Sequence, residues 1–195
     1  MRFRLMRFFH PAPLGIKKCG KYSLIMRPRR IEGSRSISIG DRTLIGRYSW
    51  LSTIGAHSGG TFQPELVIGN DVYIGQYNCI VSSHSVLIEE GCVLSERVYV
   101  SDTAHGLYPD KGLIMQQKLE SKGGVRLGKS TFVGYGACIM PGVTLGEHCV
   151  VGANSVVTRS YPAFSMVVGV PARLIKTYCP VRKEWVSVEG SAAKH

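Results

Sequence analysis

The stretch LGKSTFVGYGACIMPGVTLGEHCVVGANSVVTRSYP, residues 127–162, repeats one pattern every six residues. Each group of six, called a hexad here, begins with Leu, Val or Ile, and four of these six hexads have glycine in second place. A period of six matches neither an α-helix, with about 3.6 residues per turn, nor a strand that alternates from residue to residue. The pattern indicates a chain that makes one short strand and one turn in every hexad.

The same hexad occurs earlier in the chain. It fills residues 39–56, 68–85 and 88–105, three hexads in each block, so the chain holds fifteen in all. The first residue is Ile, Leu or Val in every one of the fifteen, and the second is glycine in eight. The fifth residue is mostly small or β-branched, as in Thr43 and Cys149. The repeat is therefore a property of most of the chain and not of one segment.

Fifteen such hexads predict an all-β solenoid, a parallel β-helix in which three hexads close one triangular coil. The leading aliphatic residue is expected to point inward and stack on its equivalents in the coils above and below. Glycine in second place is expected to let the backbone turn where a Cβ would clash. Three hexads per coil give about five coils for the array.

Two long inserts interrupt the array. Residues 57–67 separate the first block from the second, and residues 106–126 follow directly after His105. A solenoid tolerates inserts only at its corners, and long loops without strands of their own are usually functional or disordered. The corner at His105 is therefore the candidate functional site.

Charge and patterning divide the chain into three parts. Residues 1–31 carry nine Lys and Arg residues and no acid, against a net charge of +11 for the whole chain. We expect a basic N-terminal arm or cap over 1–34, suited to contact with an anionic membrane surface or a phosphate-bearing carrier. The β-helix with its inserted loop is expected over 35–162. Residues 163–195 are expected to form a strand, a short helix from Pro171 to about Tyr178, and a tail.

The composition is that of one folded domain, with 44% hydrophobic and 19% charged residues in 195. No apolar run approaches the roughly 18 residues of a membrane span, and the N-terminus is too interrupted for a signal peptide, so a cytoplasmic protein is expected. The six cysteines form no CxxC pair, which argues against zinc and favours small buried thiols in a reducing compartment. No nucleic-acid module is recognised, so no nucleic-acid partner is expected.

Three motifs together carry a family resemblance. They are the hexad array, SDTAHG at 101–106 before the long loop, and IMPGVTLGEHCVVGANSVVTRSYPAFSMVVGVPARLIK at 139–176. With them, residues 35–185 resemble the hexapeptide-repeat acetyltransferases, and among these the bacterial O-acetyltransferases of surface polysaccharides. The resemblance implies a left-handed β-helix, a homotrimer with its active sites between subunits, acetyl-CoA as acyl donor, and a sugar or polysaccharide precursor as acceptor.

The resemblance points to His105 as the general base. A sugar hydroxyl has a pKa far above neutral pH, so a base must remove its proton as the oxygen attacks the thioester, and neutral imidazole suits that role. Asp102, three residues earlier, is expected either to orient the ring or, as part of its hexad, to serve only as a turn residue. Ser83 and His84, about one coil below His105, are expected to line the acceptor side, with His84 as a hydrogen-bonded corner residue the alternative. His57 opens the first insert and is placed to reach the acceptor. No metal is expected.

The resemblance also assigns an acyl-CoA site to the C-terminal coils. The residues carried over by motif position are Tyr135, Ala153, Thr158, Arg159, Arg173 and Lys176. The cations among them suit the phosphates of the adenosine moiety. Arg173 and Lys176 have a second interpretation, as ordinary cations at the end of a capping helix.

Three alternatives stay open at the level of the sequence. N-acetylation of a nucleotide-linked amino sugar needs the same base, because a protonated amine must also lose a proton. A γ-class carbonic anhydrase needs three imidazoles around zinc, and His84 and His105 supply only two. A non-catalytic solenoid, acting as a scaffold or binding module, has no use for His105 beside a long loop or for the CoA-type C-terminal motif.

Overall fold

In the computed structural model, which describes residues 15–188, the hexads form short strands joined by tight turns. Three strands make one coil, and six coils stack along the solenoid. The first three coils, with one hairpin, are β1 Lys18–Cys19, β2 Leu24–Ile25, β3 Arg30–Glu32, β4 Ile37–Ile39, β5 Leu44–Ile45, β6 Trp50–Thr53, the hairpin strands β7 Ala56–His57 and β8 Gly60–Thr61, β9 Glu65–Ile68, β10 Tyr73–Ile74 and β11 Cys79–Ser82.

The remaining elements follow the same scheme and then leave it at the C-terminus. They are β12 Ser85–Ile88, β13 Val93–Leu94, β14 Tyr99–Ser101, the hairpin strands β15 Ala104–His105 and β16 Leu119–Glu120, β17 Val125–Leu127, β18 Phe132–Val133, β19 Cys138–Ile139, β20 Thr144–Leu145, β21 Val150–Val151, β22 Val156–Val157, β23 Ser165–Gly169, β24 Ala172–Cys179 and β25 Glu184–Ser187. Three 3₁₀ turns lie at Ser34–Ser36, Pro109–Lys111 and Ile114–Gln116.

Each face of the triangle is a parallel sheet. The first contains β1, β4, β9, β12, β17 and β20, and the third contains β3, β6, β11, β14, β19 and β22. The second contains β2, β5, β10, β13, β18 and β21 and is extended by β23, β24 and β25. The register places equivalent residues over one another, so Ile68 pairs with Ile88 and Ile88 with Leu127. Every strand thus sits on the strand of the same face one coil earlier.

The core is the column of leading aliphatic residues that the sequence predicts. All fifteen are at most 1% exposed, and those of neighbouring coils stack inside the triangle. Small or β-branched residues in fifth place, such as Thr43, Cys92 and Ser155, are buried beside them. Burial of a whole aliphatic side chain contributes roughly 1.5–3 kcal/mol, so this column is the main source of stability.

The glycines in second place serve close approach between coils rather than an unusual backbone conformation. A Cβ on Gly75 would lie 2.7 Å from the carbonyl oxygen of Ser95 in the next coil, and other second-place glycines are equally tight. The left-handed conformation is taken by the fourth residue of the hexad, as at Tyr48 (φ 60°) and Tyr77 (φ 58°). The predicted role of glycine as the turning residue is therefore corrected: glycine removes a Cβ from the contact between coils.

The first coil lies within the segment that the sequence assigns to a basic arm. Lys18 and Cys19 pair with residues of β4, and Ile25 is 7% exposed in the core. Cys19, Ile25 and Ile31 lead three hexads, and the repeat was missed because a cysteine stands in the first leading place. The solenoid thus begins before residue 34 and has six coils instead of about five. Residues 1–14 lie outside the described part of the chain.

The predicted helix from Pro171 to about Tyr178 is wrong. The segment forms strand β24, which pairs antiparallel with β23 and with β25. The chain reverses next to Gly169, whose φ of 100° suits only glycine. A helix there would leave the backbone groups along the outer edge of β23 unpaired, whereas a strand satisfies them.

Over residues 15–188 no helix is long and apolar enough to cross a membrane.

The cysteines are free thiols. Cys92 and Cys149 are buried in fifth place, and the other four are half-buried. Burial raises the pKa of the Cys92 thiol to about 11, so this side chain is a neutral packing group at physiological pH.

Candidate active site

Both long inserts leave the solenoid at the same corner, where the third face ends. The hairpin β7–β8 follows β6, and the hairpin β15–β16 follows β14, two coils further along. Between them, the coil that contains β11 turns tightly through residues 83–84 into β12. The Ser58 hydroxyl of the first insert donates to the backbone carbonyl of Met115 in the second at 2.9 Å, so the two loops touch. They meet at this corner.

His105 lies at the entrance of the longer insert. It is half-buried in β15 and pairs antiparallel with Leu119. Its Nδ1 is buried and has no hydrogen-bond partner. The ring of His57 packs against it with 5.3 Å between ring centres and an interplanar angle of 66°, and the Nε2 of His57 is likewise buried without a partner. The structure therefore pairs two imidazoles from two separate loops.

Asp102 does not take the expected place behind the His105 ring. It is fully buried, and its carboxylate accepts the backbone N–H of Ser83 at 2.8 Å, of His84 at 2.9 Å and of Ser85 at 2.7 Å. The hydroxyl of Ser82 donates to the same carboxylate at 3.0 Å. Four donors from one turn thus converge on Asp102, because the coil below needs an acceptor for N–H groups that point inward. Of the two roles that the sequence offered for Asp102, these hydrogen bonds favour the turn residue over the group that orients His105.

Ser83 and His84 lie on the turn that Asp102 holds, one coil below His105. Ser83 is buried, and its hydroxyl lies 2.9 Å from Nδ1 of the exposed His84. The His84 ring also contacts Phe62 of the first insert, with 5.8 Å between ring centres. The structure therefore brings Ser83 and His84 to the corner of His105, and it adds Phe62, for which the sequence offered no signal beyond its place in an insert.

An open groove lies beyond Phe62, away from the pair of histidines. It has a volume of about 760 Å³ and is lined by residues that include Arg35, Thr53, Gln63 and Glu65. The groove combines a cation, a carboxylate and hydrogen-bonding groups. Such a lining suits a polar ligand with several hydroxyl groups better than an apolar one.

The longer insert is ordered by its own side chains. Gln117, 6% exposed, accepts the backbone N–H of Tyr108 at 3.0 Å and donates to the carbonyls of Tyr108 and Gly112. Glu120 accepts a hydrogen bond from the Tyr108 phenol and thereby raises its pKa, and Lys111 lies 3.7 Å from the centre of that ring. The loop is thus held in a defined conformation by internal hydrogen bonds. It nevertheless exposes four large apolar side chains: Leu107, Leu113, Ile114 and Met115.

The six residues assigned to acyl-CoA lie in three places on the isolated chain. Tyr135 and Ala153 follow strands of the second face, while Thr158 and Arg159 follow β22 on the third face. All four are exposed. Arg159 donates to the Tyr161 phenol at 3.0 Å, which fixes its direction. The corner of Tyr135 is thus a different corner from that of His105 within one chain.

The last two of these residues belong to β24 and not to a helix. Arg173 is exposed and donates to the carbonyl of Ala172 at 3.2 Å, and Lys176 pairs with Met166 of β23. The interpretation of Arg173 and Lys176 as cations at the end of a helix is therefore wrong, because both lie in a strand. Across residues 15–188 no group of three or more His, Cys, Asp or Glu side chains is placed to hold a metal ion.

The stacked hexads define a class of proteins. Residues 124–159 match the family described as bacterial transferase hexapeptide (six repeats). The chain carries the hexapeptide repeat and has the fold of the hexapeptide-repeat acetyltransferases, the left-handed parallel β-helix.

Individual relatives show how far the similarity extends. The chain is 31% identical over 166 residues to a probable acetyltransferase of Mycobacterium tuberculosis, which covers 85% of this chain and 48% of that protein. It is 28% identical over 169 residues to WbbJ of Escherichia coli, named as a putative lipopolysaccharide biosynthesis O-acetyl transferase, covering 83% of this chain and 82% of WbbJ. The chain thus spans about half the length of the mycobacterial relative.

A solved structure with the same architecture comes from Bacillus cereus. It is a mutant form of AntD, an N-acyltransferase, in complex with dTDP and coenzyme A. The two chains superpose with a TM-score of 0.69 at 25% identity, over 84% of this chain and 85% of AntD. The relatives therefore include both an O-acetyl and an N-acyl transferase.

Proposed function

We propose that this protein transfers an acetyl group from acetyl-CoA to a hydroxyl of a sugar in a bacterial surface polysaccharide or its precursor, with His105 as general base. The observation that carries the proposal is the placement of a half-buried imidazole where two inserted loops meet at one corner of the β-helix. The similarity to WbbJ supports a polysaccharide acceptor, and the coenzyme A bound to AntD supports the donor.

The chemistry needs few groups. The Nε2 of His105 accepts the hydroxyl proton as the sugar oxygen attacks the thioester carbon. The carbon–oxygen bond forms, the tetrahedral oxyanion is stabilised by backbone N–H groups, and the carbon–sulfur bond then breaks. The departing CoA thiolate takes the proton back from the imidazolium. His105 thus ends the reaction neutral, and no acyl-enzyme is formed.

We assign substrate roles to the residues around this base. Ser83 and His84 line the acceptor side, and the sugar extends past Phe62 into the groove beside Arg35 and Glu65. Acyl-CoA is bound by Tyr135, Ala153, Thr158 and Arg159, with Arg173 and Lys176 beside its phosphates. Since Tyr135 and His105 lie at different corners of one chain, we place the complete site between two subunits.

N-acetylation of a nucleotide-linked amino sugar is the second candidate, and the similarity to AntD favours it. The two are separated by assaying a hydroxyl acceptor beside the otherwise identical amino sugar and following CoA release. We expect faster release with the hydroxyl acceptor. Faster release with the amino sugar would reverse the assignment. Failure to bind acetyl-CoA in calorimetry would contradict both and favour a non-catalytic solenoid.

We predict that the active form is a homotrimer held together partly by the longer insert. Leu113 and Met115 at its tip are 68% and 65% exposed in the single chain, and a second copy would cover them. Light scattering should give three times the chain mass at micromolar concentration. Replacing both residues by Asp should lower trimer content and turnover together.

Val181, which is 91% exposed in the turn between β24 and β25, supplies the matched control for this experiment. Val181→Asp places the same kind of charged side chain, once instead of twice, on an exposed apolar residue outside the loop and should leave assembly intact. A fully active monomer would contradict the trimer.

We also predict that the basic N-terminus contacts an anionic surface, so that the enzyme works at the cytoplasmic face of a membrane that holds its acceptor. Replacing Arg2, Arg4 and Arg7 by Gln should leave turnover of a soluble acceptor unchanged. The same variant should sediment less with vesicles that contain anionic lipid, since each cation near such a surface contributes about 1 kcal/mol. Added salt should have the same effect on the natural protein. Vesicle binding that the substitutions do not change would contradict this role.

A further inference from the structure

We propose that His57 is a positioning residue for His105. In this arrangement His105 Nδ1–H donates to His57 Nε2, which holds His105 in the tautomer whose Nε2 is free to accept a proton. The catalytic part of this inference rests on the proposed function, whereas the pairing of the two rings stands on geometry alone.

The first observation is a matched pair of unsatisfied atoms. Over the described residues, His105 Nδ1 and His57 Nε2 are the two buried side-chain nitrogen or oxygen atoms that lack a hydrogen-bond partner. Leaving one such atom unpaired costs about 1–3 kcal/mol, so two neighbouring cases call for a common explanation. A neutral imidazole has one donor and one acceptor nitrogen, and two of them therefore satisfy each other.

The second observation is the contact between the rings. Their centres are 5.3 Å apart and their planes meet at 66°, which is a T-shaped edge contact. The torsion that turns an imidazole about its Cβ–Cγ bond is soft, and the proposed hydrogen bond requires one ring to turn about it. The Ser58 to Met115 hydrogen bond ties the two loops together one residue from His57. The pairing is thus supported by the loops that carry it.

The third observation is that the nearby carboxylates are occupied. A base of this kind is usually oriented by a third group, often a carboxylate. Here Asp102 accepts four hydrogen bonds from the turn below, and Glu120, which pairs with Ala104, accepts from the Tyr108 phenol. His84 contacts Phe62 and Ser83. His57 is therefore the group that the fold leaves in contact with the His105 ring for this task.

The test uses two substitutions that differ in one property. His57→Leu removes the acceptor, whereas His57→Gln keeps an amide oxygen that reaches the position of Nε2. Nitrogen-15 spectra of the imidazole rings, recorded without substrates at a pH where the rings are neutral, report which nitrogen of His105 carries the proton. We expect the Nδ1–H form in the natural protein and in His57→Gln. We expect a shift toward the Nε2–H form in His57→Leu.

Turnover provides a second readout. His57→Leu should lower kcat about 10- to 100-fold with little change in the Kd of CoA, as loss of an orienting partner does, and His57→Gln should recover most of it. His148→Leu is the matched control, because His148 stacks on Phe164 at another corner. It should change neither the His105 signals nor kcat.

The outcomes separate the pairing from the proposed function. The pairing is overturned if His105 carries its proton on Nε2 in the natural protein, or if its nitrogen-15 signals are the same in His57→Leu. Either result counts regardless of the measured turnover. If His57→Leu fails to fold, His57→Phe keeps the size of the ring and should give the same shift in tautomer. A shift in tautomer together with unchanged turnover supports the pairing and contradicts the role of His105 as base.

Discussion

His105→Ala should lower acetyl transfer by about 10²- to 10⁴-fold, the usual effect of losing a general base. The imidazole is the group placed to take the acceptor's proton, and alanine has no basic group to replace it. The Kd of CoA should be almost unchanged, because His105 meets the reacting atoms and not the nucleotide. Turnover and CoA binding are measured on the same preparation, so that a folding defect is recognised by loss of both.

Two comparisons sharpen this experiment. His148→Ala removes an exposed imidazole at another corner and should retain nearly full turnover. His105→Gln keeps the size and polarity of the side chain without its basicity, so it should be as inactive as His105→Ala. Turnover near that of the natural protein in either His105 variant would exclude His105 as the base.

Asp102→Asn should destabilise the folded chain by about 1–3 kcal/mol, because a buried acceptor is exchanged for a donor that faces another donor. The carboxylate accepts three backbone N–H groups and the Ser82 hydroxyl at 2.7–3.0 Å. An amide retains one oxygen, and even when this oxygen takes the place of Oδ2 the NH₂ group faces the backbone N–H of Ser83. The urea midpoint should fall, and turnover should fall with it, because the turn carrying Ser83 and His84 relaxes.

The matched control is Asp71→Asn at another corner. Asp71 is an exposed acid whose pKa is lowered by its hydrogen bond from Arg42, and solvent replaces that partner when it is lost. Its urea midpoint should change little. A fully stable Asp102→Asn protein that has lost only turnover would restore the orienting role predicted from the sequence and contradict the one assigned from the hydrogen bonds.

The hexad pattern predicted the fold because a solenoid repeats its local environment in every coil. Each coil touches only its neighbours, so the same inward place recurs every six residues and demands the same kind of side chain. Ile39 and Val157, at opposite ends of the predicted array, are thus equally buried. The first coil was not predicted, because Cys19 stands in a leading place where the pattern has Ile, Leu or Val. Cys19 nevertheless pairs with the next coil as the other leading residues do.

The C-terminal segment shows a different limit. The letters ARLIKTYC, residues 172–179, contain good helix formers, and no period distinguishes a helix from a strand over so short a run. The outcome depends on the open edge of β23, which needs a hydrogen-bonding partner and finds it in β24. The edge of a sheet exists only once the coils have stacked. The local sequence therefore does not show that the backbone groups of β23 need a hydrogen-bonding partner.

The sequence by itself determined the solenoid, the column of buried aliphatic residues and the corner at which His105 stands, because each follows from residues at fixed short spacing. Tertiary structure alone decided what surrounds that histidine. His57 and His105 lie 48 residues apart, and the stacking of two coils brings their loops together. Asp102, three residues from His105, is held instead at the turn one coil below, since three backbone N–H groups of that turn donate to its carboxylate. In a β-helix, the neighbours of a corner residue come from the next coil, about twenty residues away along the chain, and sequence proximity does not choose them.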